Sequence, residues 1–243
     1  MSFDLKYLEV PKLDRPIVVA GLPGIAHVGK LAADYLVDEI KAKKFAELYT
    51  DYFPGWAIRE GGKIEGLKVD FYAGKPEGLD HDLVIITSEA QAVSPFGQYK
   101  LSARILDIMI KHGTGTVATM AAYLTPRAGV SEVVGAATDA EMAELLKEHG
   151  VRLLEGGVIV GMNGLLPALA GGRGLKGFCL LGTTAGGIVD VSASEAVLLA
   201  LMDVLGFDVD LSRIRDFATR VPRFNPPELR LPGVEEEELS YIR

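Results

Sequence analysis

Residues Gly24 to Leu31 carry the residue types of a phosphate-binding loop. They read GIAHVGKL, which fits Gly-x-x-x-x-Gly-Lys between a buried-strand run and a helical pattern. A complete loop of this kind continues with Ser or Thr, whose hydroxyl binds Mg²⁺. Leu31 occupies that position, and Thr87 rather than a metal-binding Asp follows the apolar run at 83–86. The sequence therefore argues against Mg²⁺-nucleotide binding at this turn.

The same turn has two other interpretations. Free backbone N–H groups at the start of a helix bind anions, which makes Gly21, Gly24, Gly29, Lys30 and Glu89 a candidate anion or ligand site. Alternatively, the glycines only let two stretches of backbone pass closely, because glycine has no Cβ. We favour the second interpretation, and we expect Lys30 on the solvent side of the first helical turns.

An enzyme site is the alternative to a binding function. In α/β proteins ligand groups follow the carboxyl ends of strands, which selects Gly24, Ser88, Glu89, Arg127 and Asn163. The sequence has no Gly-x-Ser-x-Gly elbow for a serine nucleophile, and no recognisable catalytic set joins these positions. A binding or assembly protein is therefore favoured over an enzyme.

The histidines and the single cysteine do not predict a metal site. His27, His81, His112 and His149 lie in separate segments without the i, i+3 or i, i+4 spacing of a metal-binding pair. Cys179 lies in an apolar run, where burial raises the pKa of a thiol and makes it inert. We predict neither a metal nor a cofactor, and a lone cysteine favours a reducing compartment.

Composition excludes several classes of function. The 243 residues carry a formal net charge of −8, whereas general nucleic-acid binding requires a basic face. No apolar run reaches the ~18 to 20 residues of a membrane-spanning helix, and the N-terminal MSFDLKYLEV lacks the apolar core of a signal peptide. We expect a soluble, cytoplasmic protein that binds neither nucleic acid nor membrane.

The elements that would position these groups alternate between strands and helices. Short β-branched runs are interrupted by Gly and Pro, and patterns with a helical period follow them. This alternation predicts an α/β fold with a largely parallel central sheet and helices on both faces. The predicted strands are 17–20, 45–49, 83–86, 116–119, 133–137 and 177–181, and the predicted helices are 25–40, 98–112, 140–149 and 192–205.

Three further segments extend this core. We expect an edge strand or arm at 3–13 and a small region of one or two β-hairpins, attached to the main sheet, at 57–72. The helix at 192–205 has a capping box, Ser192 and Glu195. Because it is apolar nearly all round, it should be buried either inside the monomer or by another subunit.

A change of composition divides the chain. Residues 1–219 are expected to form a single α/β domain, whereas 220–243 contain four prolines and the acidic run Glu235–Glu238. Prolines at this density prevent regular structure. We therefore predict an extended, Pro-rich acidic C-terminal tail.

Four stretches are informative when taken in their order along the chain: LPGIAHVGKLAADYLVDEI, DLVIITSEAQ, GVIVGMNGLLPAL and SASEAVLLALMDVLG. Their order and spacing over about residues 10–210 resemble the proteasome assembly chaperone family, in particular archaeal and bacterial members related to the second of the paired eukaryotic chaperones. The resemblance implies a fold similar to nucleoside phosphorylases without their catalytic set. Some members are labelled ATP-dependent carboligases, so a small-molecule enzyme of that kind is the alternative function.

The resemblance also implies partners. It implies a homo-oligomer, alone or with a paralogue, that helps proteasome core-particle α subunits assemble into rings. A family tail ending in a hydrophobic residue, Tyr and any residue inserts between α subunits. Here Tyr241 stands third from the end, one position out of register, so the tail candidates are Leu239, Ser240, Tyr241, Ile242 and Arg243.

Overall fold

The computed structural model of the chain describes residues 2–126 and 132–220. Its strands are β1 (Asp4–Tyr7), β2 (Ile17–Ala20), β3 (Lys43–Tyr49), β4 (Ala57–Glu60), β5 (Lys63–Gly66), β6 (Val69–Gly74), β7 (Leu83–Ser88), β8 (Thr116–Leu124), β9 (Val133–Ala137), β10 (Arg152–Leu153) and β11 (Lys176–Thr184). Its helices are α1 (Val28–Glu39), α2 (Pro95–Lys111), α3 (Ala140–Glu148), α4 (Met162–Gly171), α5 (Val191–Leu205) and α6 (Ile214–Arg220), and a 3₁₀ turn (Ile25–His27) precedes α1.

One sheet of nine strands organises the fold, in the order β1-β3-β6-β7-β2-β8-β11-β9-β10. Parallel pairing joins the four central strands, β7 to β2, β2 to β8 and β8 to β11. The strands β1, β3 and β6 continue the sheet on one side in antiparallel fashion. The predicted α/β fold, parallel at the centre of its sheet, is therefore confirmed.

Alternate residues of the central strands point into two separate cores. Val19 and Ile85 belong to a core with α1 and α5, whereas Val18 and Ile86 belong to a core with α2 and α4. The helices that follow the neighbouring strands β2 and β7 thus lie on opposite faces of the sheet. A crevice opens at the carboxyl ends of such a strand pair, and α/β proteins bind ligands there.

The starts of α2 and α5 differ from the sequence prediction, as does that of α1, which begins at Val28 rather than at residue 25. The helix α2 begins at Pro95 rather than at residue 98, with the side chain of Ser94 accepting the Gly97 N–H at 3.1 Å. Proline is well suited to this first helical position because the N–H that it lacks would have no helical partner. The predicted cap Ser192 is wrong, because Asp190 caps α5 by accepting the Ala193 N–H at 3.0 Å.

The remaining segments follow the prediction with one change. The strand β1 pairs with β3 at the sheet edge, whereas β4 and β5 form a separate two-stranded sheet and only β6 joins the main one. None of the helices in the described ranges is both long and apolar enough to span a membrane. The predicted tail lies beyond the described residues, apart from Arg220 at the end of α6.

Candidate functional site

The glycine turn between β2 and α1 packs tightly against neighbouring backbone. A Cβ on Gly21 would lie 2.0 Å from the carbonyl oxygen of Gly29. A Cβ on Gly29 would lie equally close, 2.0 Å, to the carbonyl oxygen of Met120 in β8. Both distances are far below van der Waals contact, so only glycine permits this approach. The turn therefore has the close backbone passage that we favoured over an anion site.

Two amide side chains hold the turn from outside. The Leu22 N–H donates to Oδ1 of Asn163, and Nδ2 of Asn163 donates back to the Leu22 carbonyl, each at 3.1 Å. Gln91 Nε2 donates to the Pro23 carbonyl at 2.5 Å, while Gln91 Oε1 accepts the Met162 N–H at 2.7 Å. These bonds tie the turn to the loop after β7 and to the start of α4. The Leu22 N–H is consequently used inside the protein and is not free for an anion.

Lys30 lies at the centre of a buried ion network. The residue is only 5% exposed, so the expectation that it lies on the solvent side of the helix is wrong. Its Nζ is 2.7 Å from Asp34 Oδ2, 2.8 Å from Glu89 Oε1 and 3.3 Å from Thr87 Oγ1. Thr87 in turn donates to Asp34 Oδ1 at 3.0 Å. The three donors of the ammonium group are thereby all used.

The electrostatics of this network fix the charge of Lys30. Burial opposes its charged form, but the attraction of Asp34 and then of Glu89 outweighs burial and holds the pKa of Lys30 above its ordinary value. Burial, followed by the positive charge of Lys30, lowers the pKa of His27. Lys30 is thus a fixed cation next to a neutral imidazole at pH 7. Its ammonium group is committed to two carboxylates and is not available to a phosphate.

An open cavity of about 710 Å³ adjoins the network. Residues of α1, β6, the end of β7, the β4–β5 hairpin and α6 surround it, and we call it the charged cavity. Two further lysines of the cavity are also paired: Lys44 lies 3.0 Å from Asp70, and Lys68 lies 2.9 Å from Glu47. Burial opposes ionisation of Glu47, but hydrogen bonds from Lys68 and then Tyr49 lower its pKa. The cavity is therefore lined by charges of both signs, together with the apolar side chains of Val37, Ile58 and Phe217.

The residues selected from the sequence separate into three groups. Lys30 and Glu89 meet directly, and Asn163 meets the glycine turn. Ser88 donates instead to the Lys68 carbonyl at 2.7 Å. Arg127 and the tail candidates 239–243 lie outside the described residues. Ligand binding at the glycine turn and docking by the tail both remain predictions.

The sequence analysis missed Asp34, Thr87 and Gln91. Only Asp34 had a local signal, because Lys and Asp four residues apart face each other on a helix. Cys179 behaves as expected, since burial raises the pKa of its thiol to about 12. In the ranges 2–126 and 132–220, no group of His, Cys, Asp and Glu side chains is arranged to hold a metal ion.

A second surface feature is a band of exposed apolar side chains at the carboxyl ends of the parallel strands, which we call the apolar edge. The loops after β2, β7 and β11, the start of α2, the end of β8 and the loop before α4 all contribute to it. Its members, between 40% and 88% exposed, are Ile25, Val93, Phe96, Tyr99, Tyr123, Leu124, Val158, Val160 and Ile188.

The apolar edge is large for a surface that faces only water. Each of its nine members is at least 40% exposed. Exposed large apolar side chains that gather on one surface are a common feature of protein interaction sites.

The fold and these two surfaces define an α/β protein with a charged cavity and an exposed apolar edge. The side chain of Asn163 occupies the backbone groups of the glycine turn. Carboxylates neutralise Lys30, the lysine that a phosphate-binding loop would use. The geometry of this turn therefore gives no support to the nucleotide-dependent alternative. A family model described as the PAC2 family matches residues 18–223, and the chain belongs to this family.

Known proteins resemble the chain over nearly its whole length. An uncharacterized protein of Methanocaldococcus jannaschii, MJ1210, is 32% identical over 98% of this chain and 96% of its own. The crystal structure of Pyrococcus furiosus PbaB, described as an archaeal proteasome activator, matches with a TM-score of 0.83 at 35% identity, covering 90% of this chain and 95% of PbaB. Pyrococcus furiosus PbaA, described as an archaeal homolog of proteasome-assembly chaperone, matches with a TM-score of 0.77 at 25% identity, covering 90% and 88%.

These comparisons confirm the resemblance stated from the sequence. They also agree with the prediction that the protein is not an enzyme, because proteasome assembly chaperones are a non-enzymatic class.

Proposed function

We propose that the protein is a homo-oligomer that binds α subunits of the proteasome core particle and assists their assembly. The observation that carries this proposal is its likeness to PbaB and PbaA, whose descriptions are a proteasome activator and a proteasome-assembly chaperone homolog. The apolar edge supports it, since an assembly protein works through surfaces rather than through a catalytic site. The C-terminal segment 220–243 contributes the contact to the α subunits in this proposal.

The oligomer forms through the apolar edge in this proposal. Two surfaces are candidates for the subunit contact, the helix at 192–205 and the Gly-rich segment near Gly161. The apolar surface of the helix is mostly buried within the monomer. Val197, Leu198 and Leu201 of α5 are completely buried, and Leu199 is exposed. Next to Gly161, by contrast, Val160 is 82% exposed. The Gly161 segment therefore has the free apolar surface that a subunit contact requires.

Oligomerisation strengthens a weak tail contact. Several tails presented together raise the effective concentration of each to the order of mM, so that avidity exceeds the affinity of one tail. The acidic run Glu235–Glu238 would attract basic pocket rims, and this steering weakens with salt. Capture of α subunits should consequently depend on both the oligomer and the tail.

Native mass spectrometry of the protein, alone and mixed with archaeal proteasome α subunits, tests the proposal. We expect a multiple of the 26.0 kDa chain mass that captures α subunits. An oligomer that does not bind α subunits would contradict the proposed function, although not the fold. A 26.0 kDa species at working concentration would be a monomer, which presents one tail and therefore cannot bind by avidity.

Deleting residues 234–243 is expected to reduce capture of α subunits at least tenfold without changing the oligomer, since no member of the apolar edge belongs to this segment. The measurement is titration of α subunits followed by native mass spectrometry. Unchanged capture by the truncated protein would show that the tail does not dock. A variant with Tyr241→Ala tests the aromatic contact alone.

Replacing Val160 by aspartate is expected to weaken the oligomer at least ~tenfold, because a charge would enter the centre of an apolar interface. The matched control is Val10→Asp, which places the same charge on a valine that is 71% exposed in the N-terminal arm, away from the apolar edge. Sedimentation velocity over a dilution series reports both dissociation constants. Equal effects of the two substitutions would place the subunit contact elsewhere.

A further inference from the structure

The strand β1 ends the nine-stranded sheet on one side, and among the described strands it pairs with β3 alone. Its residues are exposed except Leu5, which is half-buried. The unpaired edge of a sheet is a template for another strand, so proteins usually shorten it, cover it or charge it. The residues that face this edge restrict which strand is able to pair with it.

The hydrogen bonds of β1 to its neighbour define which backbone groups point toward the sheet. The Leu8 N–H donates to the Phe45 carbonyl of β3 at 2.8 Å. At the other end of the strand, the Thr50 hydroxyl donates to the Ser2 carbonyl at 2.6 Å. Successive residues of an antiparallel strand direct their backbone groups to opposite sides. The even-numbered residues of β1 therefore direct theirs toward β3.

The odd-numbered residues consequently direct their backbone groups to the free edge. These residues are Phe3, Leu5 and Tyr7, and no described residue bonds to their N–H or C=O groups. Each has one donor and one acceptor available, which is the arrangement that another antiparallel strand requires.

The side chains of β1 alternate between the two faces of the sheet. Phe3 and Leu5 pack against the core that contains α2 and α4, and the Tyr7 hydroxyl lies 3.1 Å from the imidazole of the histidine that follows α2. Asp4 and Lys6 are on the opposite face, where both are exposed and neither is in an ion pair with a described residue. The strand thus has one charge of each sign, two residues apart, on one face.

A second copy of β1 fits this edge in one antiparallel register. Odd residues must lie opposite odd residues, because only their backbone groups point outward. With Leu5 opposite Leu5 of the second copy, Phe3 lies opposite Tyr7 and Asp4 lies opposite Lys6. Each of these last two pairs occurs twice, since the arrangement has two-fold symmetry. Aromatic pairs and opposite charges directly across two strands both stabilise such pairing.

Charge distinguishes this register from its neighbours. A shift by two residues in one direction would place Asp4 opposite Asp4, and a shift in the other direction would place Lys6 opposite Lys6. Like charges directly opposite each other destabilise a strand pair. Charged side chains on an edge strand also discourage pairing with most other strands, whereas a second copy of β1 compensates both charges.

We propose that β1 pairs with β1 of a second copy of the chain in this antiparallel register, which joins two nine-stranded sheets edge to edge around a two-fold axis. This is a subunit contact separate from the apolar edge, with which β1 shares no residue. Two different contacts on one chain build an oligomer larger than a dimer. Because the β1 contact joins subunits in pairs, the oligomer should contain an even number of them.

Disulfide cross-linking between two variants tests the pairing and its register. Residue 4 of one copy lies opposite residue 6 of the other in a non-hydrogen-bonded pair, in which Cα atoms are about 4.5 Å apart, a separation that a disulfide spans. A mixture of the Asp4→Cys and Lys6→Cys proteins should cross-link at least about fivefold more than either protein alone. The mixed pair also keeps one ion pair between Lys6 and Asp4. Cys179 is buried and does not compete. No cross-link in the mixture, or an equal yield from Asp4→Cys alone, would overturn the proposal.

Charge reversal tests the ion pairs without a covalent link. Asp4→Lys or Lys6→Asp alone places like charges opposite each other twice, and each should raise the concentration at which the oligomer dissociates at least about tenfold. The double variant restores opposite charges and should return to within about threefold of the unchanged protein. The control Lys12→Asp makes the same change of charge on an exposed lysine in the loop after β1. Sedimentation velocity over a dilution series reports all four. Single reversals no stronger in effect than the control, or a double variant as weak as the single ones, would show that β1 does not pair with itself.

The subunit number provides a test that needs no substitution. Native mass spectrometry should give an even multiple of the 26.0 kDa chain mass, and an odd-numbered oligomer would overturn the β1 contact. None of the β1 variants changes a member of the apolar edge. Failure of the β1 contact is therefore distinguishable from failure of the proposed function, which Val160→Asp and the capture of α subunits test separately.

Discussion

Gly29→Ala is expected to destabilise the protein by at least about 3 kcal/mol, a loss of Tm of roughly 6–12 °C for a chain of this size. The added Cβ would lie 2.0 Å from the carbonyl oxygen of Met120, a backbone atom in the centre of the sheet. Neither partner can move cheaply, because β8 is hydrogen-bonded to β2 and β11 on its two sides. The gain in helix propensity from alanine, about 1 kcal/mol, is too small to offset the clash.

The control for this substitution is Gly115→Ala. Gly115 immediately precedes β8, and a Cβ there would meet no atom within 4 Å. Its Tm should change by less than about 2 °C, since substitutions that create no contact seldom cost more than about 0.5 kcal/mol. Thermal unfolding of both variants by circular dichroism makes the comparison. Equal stability of the two would mean that α1 does not approach β8 this closely.

The sequence predicted the parts of the fold that depend on local patterns. Short β-branched runs such as Ile17–Ala20 are recognisable because a strand buried on both faces has apolar residues at consecutive positions. The position of α5 was recognisable for a similar reason, although its cap was placed two residues too late. The first residue of a helix is harder to predict, because contacts with other elements also select the cap. Here Thr184 of the preceding strand donates a hydrogen bond to Asp190 at 2.7 Å.

The candidate site depended on contacts that no local pattern contains. Asn163 binds Leu22 across 141 positions of sequence, and Lys30 binds Thr87 across 57. Such pairs follow from the order of strands in the sheet and from the face on which each helix lies. Without that information, a lysine in the first turn of an amphipathic helix is reasonably placed in solvent. Its burial is explained by Glu89, which β7 brings to the same point.

Lys30 connects the glycine turn to the ion network. It lies one residue after Gly29, so the close contact of α1 with β8 also fixes where its ammonium group lies. From there it pairs with Asp34 of its own helix and with Glu89 after β7. The ion network therefore depends on tight backbone packing, and the charged cavity depends on the network.

Lys30→Met is expected to cost about 3 kcal/mol of unfolding free energy, near the lower end of the range for removing one partner of a buried ion pair. Methionine retains most of the apolar stem, but it leaves Asp34 and Glu89 side by side without a cation. Glu89 is a third exposed and can turn toward water, which limits the loss. Because the folded-state pKa of Lys30 is raised, its contribution is fully present at neutral pH. That contribution disappears only as pH rises through this raised pKa, at the alkaline end of the range for lysine.

Chemical denaturation of Lys30→Met at neutral pH measures this loss against the control Lys147→Met. Lys147 forms an exposed pair with Glu144 on α3, and surface pairs of this kind contribute at most about 1 kcal/mol. A second comparison separates loss of the pair from loss of packing. Adding Glu89→Gln to Lys30→Met should recover part of the stability, because it removes one of the two charges that the first substitution leaves unpaired. If Lys30→Met costs no more than Lys147→Met, or if Glu89→Gln makes it less stable still, the lysine is not the cation that holds these carboxylates together.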